Sequence, residues 1–495
     1  MDEIRWMSAR TMRELVATKR LSPVEIVTAL LAVVDAHEPT VHAFITVEPD
    51  HVLAQARAAE AAVMRGDNLG VLHGVPVAVK DEAWTHDLPS TAGSLVFARF
   101  RPSHDGTVAE RLRGAGAIVF GKANLPEFAA WPRSKNRIAG ESVNPWDPTR
   151  IAGASSGGSG AALAAGMVPL AIGSDGGGSI RIPSSLCGTV GLYPTPGRVP
   201  SYGSFSYTPG GSLGPMGRDV HDVALLYQVI AGPDARDAGA LTTPVPDALG
   251  GLDDGADGLR VAWSPDFGRV PVQPEVAEVV AAAMAVLERA GARVEPTSKV
   301  IPHPWGDALA MAASQAAVAD DAELDDLPYD PADLPDLSGE EAWMWEVFSG
   351  TVPFTLQPRF FALRERYADL LCPTSRPREA PVAPVVDNSA PSLEQLQLAF
   401  DAALAGADVL CAPTMRTVAP VAPPGWASPY DDPYMGTSLT FFANALGCAA
   451  ASVPCGLADG LPVGLQIVGR PGAEATVLRV ARAFEQAQPF PTLPA

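Results

Sequence analysis

Two segments rich in glycine and serine, residues 152–160 (AGASSGGSG) and 173–181 (GSDGGGSIR), constrain this chain most. Only a stretch of small residues followed by a short apolar run separates them. That spacing predicts one helix, over residues 159–167, and one strand, over 168–172, so the unit returns both segments to the same edge of a sheet. Glycine runs place no Cβ in the way of backbone N–H groups that converge on one point, and such a cradle holds an oxyanion. Ser179 follows three glycines at the end of the strand, where a nucleophile would be exposed. The alternative use of either segment is a flexible surface loop.

A serine nucleophile needs a base, and no histidine lies near these segments. Val75, Val77 and Val79 alternate along a short β-branched stretch that ends at Lys80. An ammonium there would be largely desolvated, which lowers a lysine pKa toward the range of a working base. The alternative is an ion pair with Asp81 or Glu82. Further helices are expected over residues 51–65, 107–115, 274–290 and 474–486, and strands over 117–120, 260–263, 408–411 and 462–469. Ser22-Pro23-Val24-Glu25 reads as a capping box whose helix ends at Pro39. Strands alternating with helices imply an α/β class with part of the sheet parallel.

Two other motifs are weaker. Gly116 to Lys122 has phosphate-loop spacing, but Ala123 offers no hydroxyl and the intervening residues suit a buried strand. Gly210-Gly211-Ser212-Leu213-Gly214 has nucleophile-elbow spacing without the apolar strand before it, and Pro215 follows. No histidine pair has metal-ligand spacing, and neither a metal nor another cofactor is expected.

The chain resembles the amidase signature family over nearly its whole length. The matching segments include residues 74–81 (GVPVAVKD), 91–94, 121–128, 144–150, 154–159 and 175–183. Residues 187–195, 197–200, 214–218, 413–414 and 461–469 match as well. The resemblance implies a single α/β domain with a large twisted mixed β-sheet, covered by helices on both faces. N-terminal helices would fill residues 1–70 and the core with the catalytic residues 71–230. A variable substrate-pocket region would occupy 300–400, and the rest of the core 401–495. It further implies that Ser179 is the acylated nucleophile. Ser155 would be a bridging serine after a cis peptide, Lys80 the base, and the N–H groups of Gly176, Gly177, Gly178 and Ser179 the oxyanion hole. This sequence departs from the pattern at Ala154, where glycine is usual, and at Tyr193, where lysine is common.

The expected activity is hydrolysis of an amide, with an aryl or bulky apolar substrate favoured by the abundant aromatics. Phe128, Trp131 and Ser156 are candidates for the pocket wall, with Trp305, Trp343, Trp345, Phe348, Phe354, Phe360 and Phe361 as further aromatics. Esters and carbamates are close alternatives. Two others are the A-type subunit of a tRNA-dependent amidotransferase and an inactive binding protein on the same scaffold. Residues 129–140 do not resemble that subunit's equivalent segment. Lys and Arg number 35 against 56 Asp and Glu, a net charge of −21. Such a surface repels phosphate backbones and anionic membranes, so neither nucleic acid nor membrane is an expected partner. The five cysteines form no CxxC pair, residues 1–12 lack an apolar signal region, and no run of 18 apolar residues occurs. A cytoplasmic monomer or homodimer with reduced thiols is expected.

Overall fold

The computed structural model describes residues 2–130, 132–205, 210–303, 391–424 and 439–493. An eleven-stranded mixed sheet organises the chain. Its first half contains β1 (Phe44–Thr46), β2 (Pro76–Lys80) and β3 (Ile118–Ala123). Two short ribbons follow, β4 (Lys135–Asn136) with β5 (Gly140–Glu141) and β6 (Val143–Asn144) with β7 (Asp147–Ile151). The sheet resumes with β8 (Leu170–Asp175), β9 (Val190–Tyr193), β10 (Ser212–Gly217), β11 (Arg260–Trp263) and β12 (Arg293–Pro296). It closes with β13 (Val409–Pro413), β14 (Ala450–Ala458) and β15 (Leu461–Val468). The spatial order is β1-β3-β2-β8-β10-β9-β14-β15-β13-β11-β12.

Two parallel groups, β3-β2-β8 and β12-β11-β13, flank an antiparallel centre. Every residue of β2, β3, β8, β10 and β15 is buried, so both faces of the sheet are covered. The helices that accompany it include α1 (Asp2–Arg5), α2 (Ala9–Ala17), α3 (Pro23–Val41), α4 (Pro49–Arg65), α5 (Thr107–Gly114) and α6 (Gly157–Ala164). After these come α7 (Arg181–Cys187), α8 (Val220–Ile230), α9 (Pro274–Arg289), α10 (Leu393–Leu404), α11 (Phe441–Ala445) and α12 (Glu474–Ala487).

The expected capping box is present: Glu25 accepts from Ser22 N, and Ser22 Oγ accepts from Val24 N. The helix does not stop at Pro39, however, but runs to Val41 and ends where His42 turns left-handed. A proline in the last turn removes one hydrogen bond near an end that would fray anyway, and this long, half-buried helix tolerates it. Gly116 lies just before the buried strand β3, and Ser212 sits inside β10 with its hydroxyl on Leu213 O. Both motifs are therefore scaffold.

α6 packs tightly because it begins with glycines. A Cβ on Gly158 would lie 2.4 Å from Asn124 N and 2.5 Å from Ala43 O, both main chain. The helix can approach the sheet this closely only without one, and the approach sets the loop before it against the ends of β2 and β8.

Candidate active site

The site grows from two parallel strands. Val79 of β2 pairs with Ile172 of β8, so both strands run out at the same edge and Lys80 stands beside the end of β8. Lys80 Nζ is hydrogen-bonded to Ser155 Oγ at 2.7 Å and to Ser174 Oγ at 2.7 Å, and lies 3.6 Å from Glu82 Oε1. The side chain is fully buried. Burial pushes the Lys80 ammonium below its ordinary range, while the carboxylates of Glu82 and Asp175 pull it back up.

Ser155 reaches this amine from a loop that Ser134 braces. Ser134 Oγ bonds to Gly153 O at 3.0 Å and to Ser155 O at 3.3 Å, and it accepts from Gly157 N at 3.0 Å. The Ala154–Ser155 peptide is cis. Ser156 N donates to Ser179 O at 3.1 Å, which draws the two serine segments together as their spacing implied. Ser179 is partly exposed, and among the described residues its hydroxyl makes no hydrogen bond.

The loop from Gly176 to Ser179 hangs on one carboxylate. Asp175 accepts from Gly178 N at 2.6 Å, from Ile180 N at 3.2 Å and from Asn444 Nδ2 at 2.9 Å. Arg181 grips it through Nε at 2.9 Å and a second nitrogen at 3.0 Å. The same guanidinium reaches Gln466 Oε1 at 2.7 Å, Asn444 Oδ1 at 2.6 Å and Thr440 O at 2.9 Å, and lies over the Tyr193 ring. Burial alone would raise the Asp175 pKa, but the Arg181 charge and these donors hold it below the usual carboxylate range. Tyr193 thus belongs to the packing under the ion pair.

Two of the expected pocket and oxyanion groups are placed differently. The Gly178 N–H is committed to Asp175, so it cannot face an oxyanion; a Cβ there would meet Thr440 Oγ1 at 2.5 Å, and φ is +123°. The N–H groups of Gly176, Gly177 and Ser179 meet no acceptor among the described residues. Ser156, expected on the pocket wall, is fully buried; it accepts from Ser174 N and donates to Ser174 O, each at 3.1 Å. Its hydroxyl is consumed in tying the loop to β8. Phe128 is partly exposed in a left-handed conformation, with its ring 6.0 Å from Phe97. That contact joins it to a cluster with Phe100, Phe205 and Trp84. Trp131 and the seven aromatics from Trp305 to Phe361 lie outside the described residues.

Sequence reasoning overlooked Ser174, Asn444 and Gln466. The first had a signal, since it lies inside the second glycine-rich segment beside Asp175. A second buried lysine was also missed. Lys122 bonds Ala83 O at 2.5 Å and Ser90 Oγ at 2.7 Å and lies 3.9 Å from Asp81. Burial lowers Lys122 to about 8 and raises Asp81 to about 6. Away from the site, His86, Asp87 and Asp105 bring ligand atoms within 4.8 Å of one another. Arg113 already bonds both carboxylates, at 2.5 and 2.9 Å, so each has a cationic partner within the protein. The four described cysteines are free and buried.

A family model described as Amidase matches residues 25–478. The chain belongs to the amidase family. As a member it is an amidase-type enzyme acting on carbon–nitrogen bonds other than peptide bonds. Among curated relatives, the A-type subunit of the glutamyl-tRNA(Gln) amidotransferase of Chloroflexus aurantiacus is 37% identical over 506 residues, covering 98% of this chain and 97% of the relative. Its counterpart in Anaeromyxobacter sp. is 38% identical, covering 97% and 96%. Among solved structures, a bacterial aryl acylamidase of the amidase signature family matches with a TM-score of 0.75 at 28% identity, covering 99% of this chain and 97% of that one. The A-type subunit of the Thermotoga maritima glutamyl-tRNA(Gln) amidotransferase matches at 0.72 and 29%, covering 99% of both chains. Among the described residues no helix is long and apolar enough to cross a membrane.

Proposed function

We propose that this amidase cleaves a carboxamide through an acyl-enzyme on Ser179, with Ser155 passing the proton to Lys80. The 2.7 Å contact between Lys80 Nζ and Ser155 Oγ, inside a buried site, carries this reading. As Ser179 Oγ attacks the carbonyl, its proton moves to Ser155 Oγ while the Ser155 proton moves to Lys80 Nζ. The N–H groups of Gly176, Gly177 and Ser179 are free to meet the oxyanion. On collapse the C–N bond breaks and the relay runs backwards, giving the leaving amine its proton. Water then attacks the ester by the same route. The relay requires Ser179 Oγ to hydrogen-bond Ser155 Oγ when substrate is bound; catalytic hydrogen bonds are often loose before that.

For the substrate, the curated relatives favour the amidotransferase A-type reading over the aryl amide expected first from the sequence. On that reading the chain hydrolyses a primary side-chain carboxamide such as that of glutamine and releases ammonia for a partner that holds tRNA. The net charge of −21 assigns the RNA contacts to that partner rather than to this surface. Nucleic acid then enters the assembly without touching this chain, which revises the expectation of no such partner. A second reading, an aryl amide or carbamate hydrolase, is favoured by the aryl acylamidase match and by the aromatic cluster around Phe97 and Phe128.

A fluorophosphonate probe with peptide mapping tests the shared chemistry. Label is expected on Ser179, and none in Ser179→Ala; Ser155→Ala and Lys80→Ala should slow turnover by about 10²–10⁴-fold. An unlabelled Ser179 would instead support an inactive binding scaffold. The isolated chain, offered glutamine or 4-nitroacetanilide without ATP, then separates the two substrate readings.

A further inference from the structure

A neutral lysine amine has two N–H bonds and one lone pair, and only the lone pair can take a proton. The direction of the lone pair is set by which neighbours accept the N–H bonds. Around Lys80 Nζ stand Ser155 Oγ, Ser174 Oγ and, in the third direction, Glu82 Oε1 at 3.6 Å. The Glu82 side chain is 3% exposed, and its Oε1 has no hydrogen-bond partner among the described residues. Its main chain is pinned: Glu82 O accepts from Phe205 N, and Ala83 bridges Ser204.

We propose that Glu82 is a positioning residue that sets the base strength of Lys80 and turns its lone pair onto Ser155. The inference rests on the Ser179–Ser155–Lys80 relay. With Ser174 accepting one N–H bond and the Glu82 carboxylate attracting the other across 3.6 Å, the lone pair is left facing Ser155. When the Ser155 O–H bond breaks and its proton forms the third N–H bond, the new ammonium has Ser155 and Ser174 oxygens at 2.7 Å and the Glu82 carboxylate 3.6 Å away to balance its charge.

The other charges nearby are committed elsewhere. Asp175 on β8 is bound by Arg181, Asn444 and main-chain N–H groups. Asp81 accepts from Thr91 N and Thr91 Oγ1 and faces Lys122 of β3. Lys122 is held by Ala83 O and Ser90 Oγ. Among the described residues Glu82 is therefore the one acid within 4 Å of the Lys80 amine. Burial pushes the proton affinity of the amine down, and the Glu82 carboxylate, ahead of Asp175, pulls it back up.

The test is the pH dependence of the second-order rate at which a fluorophosphonate labels Ser179 in the full chain. Its acid limb reads the Lys80–Glu82 pair, because the relay needs a neutral amine. Glu82→Gln keeps the shape and removes the charge, so the limb should move to lower pH by about 1–3 units and the plateau rate should fall. Glu82→Asp draws the carboxylate back by one methylene and should move the limb the same way by less. A limb that stays in place in the folded variants, whatever happens to the plateau, overturns the proposal. Lys80→Ala labelling as fast as the unmodified enzyme would overturn the relay instead, so the two failures are distinguishable.

Discussion

Replacing Asp175 by asparagine isolates what the buried ion pair does. The carboxylate and the Arg181 guanidinium are both fully buried, and they share Asn444 as a common partner. The substitution keeps the shape but leaves the guanidinium uncompensated, which for a buried pair costs about 3–5 kcal/mol. At about 2.1 cal/mol/K per residue, a chain of this length unfolds with an entropy near 1 kcal/mol/K, so Tm should fall by about 3–5 °C. The effect on activity should be far larger. Asparagine offers one acceptor where the carboxylate receives Gly178 N on one oxygen and Ile180 N on the other. The loop bearing Ser179 then shifts, and a displacement near 1 Å costs about 10²-fold in rate. Differential scanning fluorimetry alongside probe-labelling rates measures both. The pH dependence gives a second check, with a definite sign. Asp175 is held below the usual carboxylate range, so its stabilisation is present above its unfolded pKa of about 3.8 and lost as pH falls through the folded value. The variant should therefore lose less stability than the parent between pH 4 and 2. Labelling within twofold of the parent, with only Tm lowered, would refute the idea that this pair places the nucleophile.

Gly158→Ala should destabilise the fold by at least about 1–3 kcal/mol, read as a lower denaturation midpoint, because its methyl meets main chain of Asn124 and Ala43 that cannot turn aside. Burial pushes the thiols of Cys187, Cys411 and Cys455 far up and that of Cys448 to about 12, so iodoacetamide should leave all four unmodified in the native chain at pH 8 and alkylate them in urea, as mass spectrometry would show. Hydroxylamine should divert acyl-Ser179 to a hydroxamate, in the same ratio to free acid for an amide and an ester that share the acyl group; unequal ratios would exclude a common acyl-enzyme.

What the sequence disclosed follows the range of each interaction. The helix–strand unit between the serine segments is local, and α6 and β8 form within three residues of where small-residue and apolar patterns place them. Lys80 drew attention because it ends a β-branched run, and the alternative expected for it, a pair with Glu82, coexists with the serine contacts. The groups that missed attention come from far along the chain. Asn444 and Gln466 meet Arg181 across 263 and 285 residues, and no local pattern announces such a meeting. Ser156 was misjudged because adjacent serines look equivalent in sequence. On the loop after the cis bond, successive side chains diverge, one toward Lys80 and the other toward the Ser174 main chain. Gly178 was misjudged for a similar reason, since a run of glycines does not say which N–H turns inward to Asp175.

Sheet topology explains how the amine of Lys80, the proposed base, is kept out of water. In an open sheet, chemistry collects beyond the carboxyl ends of parallel strands, and β2 and β8 are such a pair. A lysine on a loop would carry its amine into water and stay an ammonium. Lys80 is instead the last residue of a strand that is buried on both faces and paired on both edges. That placement removes water from the amine, and the next strand brings Ser174 to it at a fixed height. The same strand then turns into Asp175 and the glycine loop, so the proposed base and the proposed nucleophile are tied to one ladder of main-chain hydrogen bonds. The same pairing that builds the core also fixes the two strand ends, where Lys80 Nζ meets Ser174 Oγ at 2.7 Å.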